Sequence, residues 1–130
     1  MNPASKDLCA MLAAAGLGLS FGTNLFIGWE PTAPDNAVTI YDTPGFSPNS
    51  TLTKGEETWL PSIQVRVRNR DYLMGWTLIN SIKEVLHSLA HETWGGTVYD
   101  LIQCAQEPFL LNYDEHGRPL FVCNFDIQRQ

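Results

Sequence analysis

Apolar residues recur at two different periods along this chain of 130 residues, and the switches between those periods outline its elements. Near the start, Leu8, Met11, Leu12 and Ala15 share a face at spacings of three and four, which predicts a first helix ending at about Ala15. Asn2 or Ser5 is placed to cap it, and Gly16 suits its C-terminal stop. Asn24–Trp29 then reads as a first strand and Ala37–Thr43 as its partner. In the partner, Val38, Ile40 and Asp42 point to one side, and Thr39 and Tyr41 to the other. Pro34 and Pro44 frame that strand, and a proline cannot donate into a ladder. The link before it holds Pro31, Pro34 and Asp35, a turn composition.

From Pro61 the alternation is clean: Ile63, Val65 and Val67 face one side, and Gln64, Arg66 and Arg68 the other. The period then becomes helical. Tyr72, Trp76, Ile79, Ile82, Leu86, Leu89 and Ala90 form a stripe that predicts a long helix from Asp71 to about Thr93, ended by Gly95-Gly96. Asp71 suits the positive N-terminal end. A stripe of that size needs a flat apolar partner, so this helix is expected to lie across a sheet. Thr97 to about Asn112 reads as one long strand bent near Pro108. Asp114-Glu115-His116-Gly117 is a tight turn, and Leu120–Arg129 pairs back. Phe121, Cys123, Phe125 and Ile127 form its core face, and Asn124, Asp126 and Gln128 face out.

The predicted order is helix, three strands, helix, two strands. It implies an α+β fold in a single domain spanning residues 1–130: a mainly antiparallel sheet of about five strands under one long and one shorter helix. Residues 44–60 stand apart. They have no period and carry Gly45, Pro48, Asn49, Gly55, Glu56 and Glu57, with Phe46 and Trp59 near the ends. A loop that long in so small a domain is usually functional or mobile. It reads either as a disordered excursion or as a partner-contacting arm anchored by Phe46 and Trp59. Arg66 and Arg68, across from carboxylates, are further candidates for a subunit contact.

Composition narrows the function. A hydrophobic share of 44% marks a globular chain, and a net charge of −6 argues against a protein that wraps nucleic acid, since such proteins carry a basic patch. It is compatible with a wall past which DNA slides. Cys9, Cys104 and Cys123 are odd in number and widely spaced, the pattern of buried thiols in a reducing compartment. Leu8–Leu19 is apolar behind Lys6. However, Asp7 opens the run, glycines interrupt it, and it is shorter than the ~20 residues needed to cross a bilayer. A packed helix is therefore the better reading than a signal peptide or membrane anchor.

Candidate chemistry is sparse. His87 and His91 sit four apart on the predicted helix, yet without the glutamate of a zinc-protease motif or a third ligand, so helix-surface histidines are expected. Gly16–Gly22 is glycine-rich but follows a helix and lacks the lysine of a phosphate loop. Glu56-Glu57 and Asp114-Glu115 are adjacent carboxylates in loops, the mark of a charged surface and not of an acid/base pair. No catalytic residue, metal ligand or cofactor is expected. A small ligand-binding α+β domain would instead need a pocket with convergent polar groups, with His87, His91 and His116 as its candidates. A third possibility is an adaptor binding one protein through a strand edge.

The stretch 34–45, the alternating strand 63–68, the helix after it, and the turn 114–119 followed by the strand 120–127 together resemble the bacteriophage minor capsid protein family. That family is similar in element order to the tail terminator proteins of long-tailed phages. The resemblance runs from about Leu25 to Arg129. It implies a virion structural protein, made in the host cytoplasm, that joins copies of itself into a ring, typically of six. Such a ring caps the tail tube and meets the head connector or stopper protein, while DNA passes the channel without specific binding. A head-completion or stopper protein is the alternative within this class. On this reading Phe46, Trp59, Arg66 and Arg68 are interface residues, and Glu56, Glu57, Asp114 and Glu115 are the acids that face the channel.

Overall fold

A computed structural model describes residues 1–49 and 58–130 of the chain. Its elements are α1 (Ala4–Ala14), β1 (Leu25–Ile27), β2 (Ala37–Asn49), β3 (Thr58–Arg68), α2 (Tyr72–Leu86), β4 (Glu92–Trp94), β5 (Thr97–Cys104), β6 (Phe109–Tyr113) and β7 (Pro119–Arg129). Among the described residues the strands form one curled sheet in the order β1-β2-β3-β7-β5-β4. β6 also pairs with β7, beside the β5 partner on the same edge. Every pairing is antiparallel except that of β1 with β2. The fold is α+β, as the periodicity predicts, with seven strands instead of about five.

Both helices cover the same face of the sheet. Ile63, Val65 and Val67 of β3 and Phe121, Cys123, Phe125 and Ile127 of β7 are all buried. They pack with Leu8 and Leu12 of α1 and with Ile79, Ile82 and Leu86 of α2. The register makes this face continuous, because Val67 pairs with both Val38 and Phe121, and Val65 with both Ile40 and Cys123. The period-two alternation of three neighbouring strands therefore reads as one surface.

Four expectations change. First, α2 ends at Leu86 and not near Thr93. His87 turns extended (ψ 130°), Ser88 takes a positive φ of 67° and donates its N–H to the Ile102 carbonyl of β5, and the Leu89 carbonyl accepts the Ile102 N–H. The apolar residues past Leu86 keep the helical spacing, but backbone pairing with β5 claims them. Second, Gly95-Gly96 closes the β4–β5 hairpin instead of the helix. Both residues have positive φ, as a two-residue turn of that twist requires.

Third, the bent strand 97–112 is two strands, broken at 105–108, each taking its own length of β7. Fourth, much of the expected loop 44–60 is ladder: β2 runs to Asn49 and β3 begins at Thr58. Two register shifts make this possible. Pro44 and Gly45 together oppose Pro61, and Ser47 and Pro48 together oppose Trp59, so each bulge absorbs a proline that cannot donate. A Cβ on Gly45 would collide with the Leu60 carbonyl oxygen and come within 2.8 Å of the Pro61 Cα. The proline-rich composition thus marks bulges as well as a loop, and residues 50–57 lie outside the described residues.

α1 is capped from a distance. Pro3 stands at its N-cap position and makes no side-chain bond. Instead the Asp42 carboxylate of β2 accepts hydrogen bonds from the Ser5 N–H at 3.1 Å and the Ser5 hydroxyl at 2.6 Å, adding negative charge at the positive helix end.

Candidate functional site

The far end of the β2–β3 hairpin carries the first two sequence candidates. Phe46 is 71% exposed and Trp59 39% exposed. They line a cleft of about 470 Å³ with Gly45, Leu60, Pro61 and Arg129. The bulges place them there, since each one re-aims the strand beyond it. Past Ile40, β2 has no strand on its outer edge among the described residues, because β1 pairs only with Val38–Ile40. An aromatic side chain beside unpaired backbone is thus presented at the tip.

The helix-free face of the sheet leads back from that tip and is polar. The Ser62 hydroxyl donates to Asp126 at 2.8 Å, the Gln64 amide donates to Asn124 at 3.0 Å, and the Arg66 Nε donates to Gln64 at 2.7 Å. The Arg66 guanidinium lies 5.0 Å from the centre of the Tyr41 ring. These pairs, cross-strand except for Arg66 with Gln64, hold long side chains in fixed positions, which lowers the entropy lost when a partner docks on them.

Arg68 does not belong to this surface. It is 3% exposed, and its donors are taken inside the chain. Nη2 donates to the Pro34 carbonyl at 2.6 Å and Nε to the Asp35 carbonyl at 3.1 Å, while Nη1 reaches Glu30 at 3.5 Å. Arg118, also buried, donates to the Thr32 carbonyl at 2.7 Å, to Asp35 at 3.2 Å and to Asp114 at 2.8 Å. The two arginines clamp the irregular link 30–36 onto the turn 114–118. An irregular segment has backbone carbonyls without ladder partners, and guanidinium forks satisfy them.

Asp114 is therefore committed as well. It accepts from Arg118 Nε and from the backbone N–H groups of His116 and Arg118, at 2.8–2.9 Å. Burial raises its pKa, but the hydrogen bonds from Arg118 and His116 outweigh that and hold it below the usual carboxylate value. Asp35 is held low mainly by its hydrogen bond from Arg70, and also by Arg118. Glu115 is free by contrast, with its side chain 85% exposed and 3.6 Å from His116. Glu56 and Glu57 lie outside the described residues.

The depressed acids set an acid limit for the clamp. The unfolded carboxylates take up protons near pH 3.9, above the folded values, so stability falls as pH drops through that window. Melting followed by circular dichroism from pH 6 to pH 2 should show the midpoint falling below about pH 4. Asp114→Asn should start lower and fall less steeply. An unchanged acid slope in that variant would mean that Asp114 does not carry the clamp.

Sequence reasoning missed one exposed feature. Leu73 and Met74 are 72% and 60% exposed in the first turn of α2, beside the half-exposed Tyr72 and Trp76. Tyr72 and Trp76 stack edge-on against Phe121, which sits over Gly75. The signal was present: Tyr72, Leu73, Met74 and Trp76 are too many apolar residues in five positions for one helix face.

Neither histidine candidate lies on a helix. His87 and His91 follow α2, and the His87 Nδ1 accepts the Cys104 N–H at 3.0 Å. Among the described residues, no group of three His, Cys, Asp or Glu side chains is placed to hold a metal ion. No described helix is long and apolar enough to cross a membrane.

A polar sheet face and exposed aromatic side chains thus flank the buried core of this α+β fold. The chain belongs to the bacteriophage tail terminator protein family, whose model matches residues 11–130, and is a structural protein of the phage virion. It is also similar in fold to a chain from the virion of a native gene transfer agent particle. That similarity has a TM-score of 0.69 at 11% identity, over 96% of this chain and 92% of the other. No curated protein matches the chain.

Proposed function

We propose that this protein acts as the terminator itself. Copies join into a ring, with six as the expected number, that caps the finished tail tube and presents a surface to the head connector or stopper. Its function is then shape and valency, and no bond is made or broken. Assembly takes place in the host cytoplasm. The observation that carries this reading is the hairpin tip, where Phe46 and Trp59 stand exposed at the end of a ribbon that continues into a pre-ordered polar face. Exposed aromatics of this kind supply much of the energy of protein interfaces. Arg66, stacked on Tyr41, borders the contact.

Glu56, Glu57 and Glu115 are proposed to face the channel, with Asp114 contributing charge from within its clamp. An acidic wall lets phosphates pass without lysine or arginine contacts that would have to be broken again. Salt limits the reach of such a wall to about 8 Å at physiological ionic strength.

The double variant Phe46→Ser, Trp59→Ser tests the assembly surface. It should melt within a few degrees of the parent, sediment as a monomer at concentrations where the parent assembles, and fail to complete infectious tails. Normal tails from the folded variant would refute the proposed contact. Glu115→Lys extends the test to the channel, where it should slow DNA ejection more at low salt than at high salt. Equal kinetics at every ionic strength would remove Glu115 from the wall.

A further inference from the structure

Cys104 closes β5, Cys123 lies within β7, and their Sγ atoms approach to 3.0 Å. The register explains the meeting. Cys104 pairs with Phe125, and Cys123 is the next residue of β7 on the same face, so the two thiols are diagonal neighbours. Both converge on the Gln106 carbonyl oxygen, at 2.6 Å from Cys104 and 3.8 Å from Cys123. A disulfide requires about 2.05 Å between sulfurs, so the two Sγ atoms must close by roughly 1 Å to form the bond.

Access to the two sulfurs differs. Cys123 is fully buried, whereas Cys104 is half-buried beside the exposed residues 105–107. Lys83, whose ammonium is held by Glu107 at 2.6 Å, is close enough for its charge to act on both sulfurs. Cys9, the remaining thiol, is buried in α1.

We propose that Cys104 and Cys123 are a redox pair that closes to an intramolecular disulfide when a small-molecule disulfide, such as oxidised glutathione, is the oxidant. The Cys104 thiolate attacks one sulfur of the small disulfide. That S–S bond breaks, one small thiolate leaves, and a mixed disulfide forms on Cys104. Cys123 then passes its proton to the departed thiolate, and its sulfur attacks the Cys104 sulfur to displace the second small thiolate, which takes up from water the proton that Cys104 gave up. Two protein thiols are oxidised by two electrons in all, and one small disulfide is reduced to two thiols.

Burial pushes the Cys123 thiol up, so Cys123 does not start the reaction and serves as the resolving partner. The bond would staple β6 and the turn 114–118 into a closed loop, since its ends are 19 residues apart. A bridge of that span restricts the unfolded chain and so raises stability. Nothing in this proposal depends on ring formation.

The full chain, fully reduced, would be incubated with oxidised glutathione, quenched in acid, alkylated and mapped by mass spectrometry. The expected result is a Cys104–Cys123 linked peptide, a loss of two alkylatable thiols with Cys9 still alkylated, and a melting midpoint raised by roughly 10 °C that dithiothreitol reverses. Cys104→Ser and Cys123→Ser should each abolish the shift. The proposal is overturned if both thiols stay alkylatable, if a glutathione adduct persists on Cys104, or if the bridge involves Cys9 or a second chain. The wild-type mapping decides this even if a serine variant fails to fold.

Discussion

Replacing Asp7 by alanine is expected to cost the fold about 1–3 kcal/mol, the range for leaving a buried hydrogen-bonding group without its partner. Asp7 lies in α1 at 3% exposure. Its carboxylate accepts the Tyr99 hydroxyl at 2.5 Å and the Asn2 side-chain amide at 3.0 Å. The Arg129 Nη1 donates to the same Tyr99 oxygen at 3.1 Å and to the Asn2 carbonyl at 2.9 Å. One carboxylate therefore ties α1 to β5 and, through Tyr99, to the end of β7. Burial and the bond to Asp7 push the Tyr99 phenol above its ordinary pKa, so it stays a donor. Without Asp7, the buried Tyr99 phenol and the Asn2 amide lose their acceptor. Tyr99→Phe keeps the ring and should cost less. Urea denaturation reads both variants, and a loss below about 0.5 kcal/mol for Asp7→Ala would show that the network is not structural.

Leu86→Ala is expected to cost about 2–5 kcal/mol, the usual range for a buried leucine. Leu86 is fully buried on the last turn of α2 and joins the cluster that includes Ile102 and Ile127. Its surroundings are held in place: His87 bonds the Cys104 N–H, and Ser88 and Leu89 bond Ile102. A site that cannot collapse leaves the larger cavity, so the upper half of the range is expected. Leu73→Ala, on the exposed side of the same helix, is the control and should stay within about 0.5 kcal/mol. Equal effects from the two leucines would mean that the helix phase is misread.

Most of the fold was legible wherever a strand or helix has one wet face. Ile63, Val65 and Val67 alternate with Gln64 and Arg66, and that alternation locates the sheet and its buried side without further information. Legibility failed where backbone pairing decides. Leu86, Leu89 and Ala90 continue a helical spacing, yet β5 draws the chain away after Leu86. The bulges at Pro44-Gly45 and Ser47-Pro48 look like loop because their prolines are accommodated by register shifts that no local period reveals. The site was half legible for a related reason. Phe46 and Trp59 stood out as aromatics among polar residues, and they are exposed. Arg68 and Asp114 looked like surface charge because their partners lie 33 and four residues away in sequence. Charge alone does not separate a solvated arginine from one that closes a clamp. The Cys104–Cys123 approach depends on register and was invisible in the spacing.

The remote cap on α1 has a consequence for how the chain comes into being. The 11 residues of α1 are made before the strands that hold them, and a helix that short is marginal in water by itself. Its cap arrives only with Asp42, its tether with Tyr99, and the cation that completes the tether with Arg129. A growing chain therefore carries an apolar, unsettled first helix until Arg129 is available. Formation of this helix is then coupled to closure of the sheet through β7, so a subunit cut before β7 would lack a stable first helix.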